Sequence, residues 1–367
     1  MTASATGQKV DWYRIPVGSK QLSALNKKSD FKAFVQTLGF LGLLACTGTA
    51  AVLSVGRLPW YLVVPIFFFH GMCWPFLING FHELIHDSVF KTKWLNGFFL
   101  RIFSFLGWYN HILFWASHTE HHKFTLHPPD DLEEVLPSTH KFWRIMRGAI
   151  VNPLGLYYSI KTQIRYSRGR LAGVWENHLF EDQPELKRKL ARWARIVLIG
   201  HGTIIGVSCY MHWWLLPLVT TFAPFYGGAL HFLTNSTQHA GLQDNVPDFR
   251  LCCRTVYLNP FLRFIYWNMN YHTEHHMYAG VPCYNLPKLH DLIKADMPEC
   301  PRGLFRTWKL IIQIMQRQKY DRSYLYAPQL PPMRGPKANK ATTVTSTEAP
   351  SESPSEAEFM MAQATSL

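Results

Sequence analysis

Four stretches of the chain are apolar and long enough to cross a bilayer, and they fall into two pairs. Phe31 to Val55 carries no charge after Lys32, and its Phe, Leu and Val positions extend over enough residues to span a hydrocarbon core of roughly 30 Å. Gly56-Arg57-Leu58-Pro59 breaks this run, and a second, rich in Phe and Val, goes from Trp60 to Phe81. A third run covers Ile196 to Leu215, Pro217 turns the chain, and a fourth returns from Leu218. The pattern predicts an all-α integral membrane protein with four transmembrane helices in two hairpins, at about 31–55, 60–81, 196–215 and 218–234. Trp94 to Trp115 is apolar too, but Arg101, Asn110 and His111 interrupt it, which predicts a segment in the interface or re-entering the membrane.

The polar remainder divides into a polar arm (1–30), the membrane domain (31–327) and a tail (328–367). Within the domain, Lys123 to Ala194 is charged and mixed and reads as a helical cap, joined by a similar piece from Ala240 to about Tyr326. The tail is Pro, Ser, Thr, Glu and Ala with almost no aromatic residue beyond Phe359, a composition that predicts disorder.

Charge orients this scheme. Lys20, Lys27, Lys28 and Lys32 flank the entry to the first hairpin, whose turn holds only Arg57; Arg192 and Arg195 precede the second, whose turn holds no Lys or Arg. The positive-inside rule puts both termini and the cap in the cytosol. Overall the chain is 48% hydrophobic and 15% aromatic, with 37 Lys+Arg against 24 Asp+Glu and a net charge of +13. That mixture suits a partner bilayer with anionic headgroups. Nucleic acid is excluded as a partner, because the basic residues scatter between apolar runs with no interleaved aromatic platform. Seven cysteines include no Cys-x-x-Cys pair, and Cys252 and Cys253 are adjacent, so reduced thiols are expected. No cleavable signal is read at the start, and no Lys-Asp-Glu-Leu or C-a-a-X signal at the end; the tail's composition hints at a eukaryote and hence the endoplasmic reticulum.

Candidate chemistry lies at the ends of the apolar segments. His82-Glu-Leu-Ile-His86 follows the second run directly, and the string His-Thr-Glu-His-His occurs twice, at His118, His121 and His122 and at His272, His275 and His276. Residues three and four apart share a helix face, so each cluster can aim its imidazoles at one point. Imidazole is the commonest neutral metal ligand, and eight such side chains exceed the four that one ion normally takes. Two metals are the economical reading. The donor set fits iron, zinc, copper or nickel and does not choose between them. The alternative from another class, a non-enzymatic metal-dependent receptor or transporter, would place polar ligands near the bilayer midplane, whereas these clusters sit at helix ends. Glu83, Glu120, Glu274 and Asp87 are read as groups that orient imidazoles. His127, His140 and His178 are read as surface residues, His201 and His212 as packing or interface residues.

The three boxes, in this order and with this membrane pattern, resemble the membrane fatty acid desaturase and hydroxylase superfamily. The resemblance covers about the middle three hundred residues. It implies two Fe ions held by His82, His86, His118, His121, His122, His272, His275 and His276, with one further histidine between the second and third boxes and, in some members, an Asn four residues earlier that holds a water on one iron. His239 and Asn235 match that spacing, and His231, a turn before Asn235, is a rival for the extra ligand. The implied activity is O2-dependent desaturation of an apolar alkyl, acyl or prenyl chain, with hydroxylation the close alternative, since one ligand set supports both. No protein acid or base is required beyond the metal ligands. Trp74, Trp108, Tyr109, Phe114 and Trp115 are candidates to line a substrate cleft, although aromatic belts at membrane interfaces explain such residues more often.

The segments Gln238-His-Ala-Gly-Leu, Arg254-Thr-Val-Tyr-Leu-Asn-Pro, Trp267-Asn-Met-Asn-Tyr-His-Thr-Glu-His-His and Leu286-Pro-Lys-Leu-His look like a branch whose relatives are linked to rhizopine catabolism, hydrocarbon oxygenation and fungal natural-product desaturation. The first box, H-x-x-x-H, is shorter than that of the acyl-CoA desaturases. His127-Pro-Pro-Asp is not the His-Pro-Gly-Gly of a fused haem domain, and no dinucleotide or iron–sulfur motif is present, so a separate cytochrome b5 or ferredoxin with its reductase is implied. Lys187, Arg188, Lys189 and Arg192 would suit an acidic carrier or lipid headgroups alike.

Overall fold

A computed structural model describes residues 9–136, 150–321 and 323–332. His140 and the tail from 333 onward lie outside them. The described residues are helical, with isolated bridges and no strand. Helix α1 (Asp30–Ser54) starts at Ser29, whose hydroxyl accepts from the Lys32 N–H, and has Asp30 in its first turn, where a negative charge suits the helix dipole. Phe31, Val35, Leu38 and Leu53 stay exposed along it. Such a surface suits lipid. Helix α2 (Trp60–Cys73) runs through a short 3-10 turn at Trp74–Phe76 into α3 (Leu77–Ile85), and the continuous stretch Trp60–Ile85 is long and apolar enough to cross a membrane. The first hairpin is as expected, its return helix reaching four residues further than Phe81 and carrying His82 on its last turn. Gly80 lets α3 press against the core: a Cβ there would lie 2.3 Å from the Phe103 ring and 2.5 Å from that of Trp267.

Helices α4 (Lys93–Leu106) and α5 (His111–Phe124) have 14 residues each, about 21 Å, too short to span. Asn110 caps α5, its side chain accepting from the Ile112 N–H at 3.2 Å. Together they bring the second histidine box back beside the first. Helix α6 (Pro153–Ser167) packs on α7 (Pro184–Tyr210), a third helix long and apolar enough to cross.

The expected fourth span, 218–234, is not one helix. It is a short helix at Leu215–Val219, a 3-10 turn at Ala223–Phe225 and α8 (Ala229–Asn235). Pro217 and Pro224 each lack an N–H, and Gly227 takes φ +74° with its Cα so close to α2 that a Cβ would sit 2.7 Å from the Met72 nitrogen. Carbonyls freed by such a break need partners away from water. His70 takes the Val219 carbonyl through Nε2 at 2.9 Å and meets the Thr47 hydroxyl through Nδ1 at 2.8 Å. The Trp108 indole donates to the Thr221 carbonyl at 2.9 Å. His201, stacked between the rings of Phe105 and Trp108, meets the Thr221 hydroxyl at 3.1 Å and the Phe105 carbonyl at 2.9 Å. Both intramembrane histidines therefore hold the break in place.

The third box lies on α9 (His272–Met277), followed by α10 (Leu286–Ile293) and α11 (Gly303–Tyr320). The polar arm is part of this assembly from residue 9. Trp12 stacks on Phe249 with ring centroids 4.1 Å apart and donates to the Lys123 carbonyl at 2.8 Å, while the Tyr278 hydroxyl donates to the Ile15 carbonyl at 2.6 Å.

Candidate metal centre

Each box histidine projects from a helix or its end: His82 from α3 and His86 from its C-cap, His118, His121 and His122 from α5, and His272, His275 and His276 from α9. His239 follows α8 by four residues. All nine are buried. Donor atoms of His82, His86, His118, His122 and His275 lie within 4.8 Å of one another, and those of His239, His272, His276 and Cys253 form a second such group. His121 flanks the second group, its ring centroid 5.0 Å from that of His276 and 5.3 Å from that of His239.

The Nε2 atoms face inward. Those of His118 and His122 are 3.0 Å apart, those of His122 and His275 3.2 Å, those of His272 and His276 3.1 Å, and those of His239 and His272 2.9 Å. On the far side of four of the rings Nδ1 finds an acceptor: Glu133 for His118 and Asp131 for His121, both at 2.8 Å, Thr125 for His276 at 3.1 Å and the Cys252 carbonyl for His239 at 2.8 Å. A carbonyl only accepts, so His239 carries its proton on Nδ1 and presents a bare lone pair at Nε2. The Nε2 atom of His82 is buried without a hydrogen-bond partner. Converging lone pairs in a dry site are stable around a cation and costly without one. The residues fit a pair of metal ions.

Burial, reinforced by neighbouring imidazoles, holds His118, His122, His272, His275 and His276 well below the ordinary histidine value. They are neutral, as ligands must be. His121 differs: burial opposes its charge, but the Asp131 carboxylate outweighs burial and raises it to about 9. Burial pushes Glu133 up to about 7.

The expected orienting carboxylates are mostly replaced. Glu83 does serve, lying 3.1 Å from Nδ1 of His82 and 3.5 Å from that of His275. Glu120 instead pairs with Lys123 at 3.0 Å. Glu274 takes the Thr255 hydroxyl and the His290 imidazole, and His290 in turn meets the Tyr257 hydroxyl at 2.8 Å. Lys28 donates to the carbonyl of Asp87. The groups that reach the ligands, Thr125, Asp131 and Glu133, lie within eleven residues after the second box; the acidic run beside Pro128-Pro129 was the available signal. His231 belongs to neither group, its ring packing on Phe76 at 5.2 Å. Asn235 lines a cavity of about 200 Å³ together with Asn79, His82, His118, His239 and His272.

The sequence profile of the family described as Fatty acid desaturase matches residues 27–308, which include every box. The chain belongs to that family. Among its relatives is the sn-1 oleoyl-lipid 12-desaturase of Picosynechococcus sp., 24% identical over 322 residues that cover 78% of this chain and 84% of that protein. Membership makes this chain an oxidoreductase of the desaturase type and a membrane protein, in keeping with its three long apolar helices. In this desaturase-family chain the histidine groups are compatible with a di-iron site.

Proposed function

We propose that the protein is an O2-dependent di-iron membrane desaturase acting on an apolar alkyl, acyl or prenyl chain. The observation that carries this reading is the convergence of nine buried imidazoles, Nε2 inward, into two adjoining groups. His82, His86, His118, His122 and His275 would hold one iron, and His121, His239, His272 and His276 the other, with Asn235 placed to hold a water. Two irons so held, with O2 and electrons from outside, supply an oxidant strong enough to remove hydrogen from an unactivated C–H bond.

The chain's own residues do the rest. Asp131, Glu133, Thr125 and the Cys252 carbonyl fix the imidazole tautomers and ring angles before metal arrives. Buried surroundings keep His118, His122, His272, His275 and His276 neutral and exclude water. The cavity at Asn79 and Asn235 holds one segment of substrate against the histidines. In this reading the broken segment 215–235 is the fourth crossing, both termini and the site face the cytosol, and in a eukaryote the bilayer is that of the endoplasmic reticulum. Electrons come from a separate cytochrome b5 or ferredoxin with its reductase, docking on basic surface such as Lys187, Lys189 and Arg192.

The test is expression in a yeast-like host that supplies cytochrome b5, with lipids and small-molecule extracts compared by mass spectrometry against a His275→Ala variant. A product lacking two hydrogens, formed only with the intact protein, supports desaturation. A product with one added oxygen makes the protein a hydroxylase and overturns the desaturase assignment.

A further inference from the structure

A second cavity, about 520 Å³, adjoins the one at the histidines, and the two share Phe114 and Glu133 as lining residues. Trp108, Tyr109, Tyr166 and Trp175 give it aromatic walls. Gln163 also lines it and is only 3% exposed. Its Nε2 donates to the Trp108 carbonyl at 2.9 Å. Because that carbonyl can only accept, the amide cannot be turned round, and Oε1 is an acceptor fixed in position. That Oε1 is buried and has no partner.

Size adds a second constraint. At about 30 Å³ per water-sized group, the cavity of 200 Å³ at the histidines takes roughly seven, enough for the reacting segment of a chain and no more. The adjoining larger space offers room for the remainder of a substrate. A polymethylene chain there would leave Gln163 Oε1 without a donor. A ring bearing a hydroxyl supplies the donor, and its faces suit the aromatic walls.

We propose that this larger cavity receives a hydroxylated ring, whose O–H donates to Gln163 Oε1 while an alkyl side chain passes Phe114 to the histidines. This inference rests on the desaturase reading and narrows its substrate to chains carried on an O–H-bearing cyclic head.

The test uses the full chain in lipid nanodiscs, iron-loaded and oxidised, with no reductant present. Equilibrium binding is measured for three tritiated probes that differ in one group: 4-octylphenol, 4-octylanisole and octylbenzene. The phenol binds about fivefold to tenfold more tightly than the other two, since the anisole oxygen accepts but cannot donate. Gln163→Leu binds all three alike, at the wild-type level for octylbenzene; Gln163→Met replaces it if the leucine variant loses its metal. Equal binding of phenol and anisole by the wild type, absence of saturable phenol binding, or a phenol preference retained in both variants overturns the proposal. If the preparation holds two irons and, once supplied with a reductant and O2, desaturates acyl lipids, the ring-head substrate falls while the desaturase reading stands; a preparation that cannot hold iron removes both.

Discussion

The two histidine groups are built differently. The first takes its five imidazoles from α3, α5 and α9, as two i, i+4 pairs, His82 with His86 and His118 with His122, plus His275. The second depends on His239, delivered by the broken segment 215–235, and on His121, the one member whose far nitrogen is locked to a fully buried carboxylate, Asp131. Both groups use i, i+4 pairs brought together by packing, but only the second relies on a histidine outside the three boxes, His239. The second should be the more easily disturbed by changes outside its ligands.

The largest effect tests what the groups share. His275 lies against both His122 and Glu83 within the first group, so His275→Ala is expected to abolish turnover and to lower bound iron, read by metal analysis of purified protein. His239→Ala separates the groups: iron falls toward one per chain, with activity lost, whereas His231→Ala keeps both irons. A His231 variant that loses iron while the His239 variant keeps it would reverse the assignment.

Asp131→Asn sharpens the contrast further. It removes the carboxylate charge that holds His121 and is expected to weaken metal affinity about 10-fold to 100-fold, measured by chelator competition. Glu120→Gln, which breaks a pair with Lys123, should leave affinity unchanged.

The smallest effect is on pH dependence of the metal-free protein. Folded His118, His122 and His272 are held well below 6.5, and the unfolded chain takes up protons at that ordinary value. Protons therefore favour the unfolded state as pH falls below 6.5, by up to about 1.4 kcal/mol per pH unit for each such histidine. His121 has the opposite sign: its pairing stabilises fully below 6.5 and is lost as pH rises through about 9. Melting temperatures should fall on the acid side in wild type and Asp131→Asn alike, while the alkaline decline should shrink in the variant.

Legibility in the sequence follows the same division. Box spacing, the first hairpin and the non-spanning character of Trp94–Trp115 depend on neighbours within a few residues and were readable. His239 was separable from His231 only by spacing within a known family, because nothing local shows which imidazole reaches the others. The break at 218–234 was masked by apolar composition, although Pro217, Pro224 and Gly227 were its markers. Its stabilising partners, His70 and His201, come from other helices and have no sequence signal of their own. Glu274 misled for a similar reason: its place inside the third box suggested one of the converging histidines as partner, but its buried carboxylate meets Thr255 and His290 instead. Trp12 and Ile15 read as polar-arm residues and instead pack on Phe249 and Tyr278, contacts more than two hundred residues away in sequence.

The central claim is that nine histidines hold two irons in two distinct groups. Iron quantification per chain, on wild type and His239→Ala purified side by side after growth in iron-replete medium, tests it most directly. The account requires two irons in the wild type and a loss confined to one of them in the variant. A wild type holding zinc or no metal, or a His239→Ala protein that retains both irons, would contradict it.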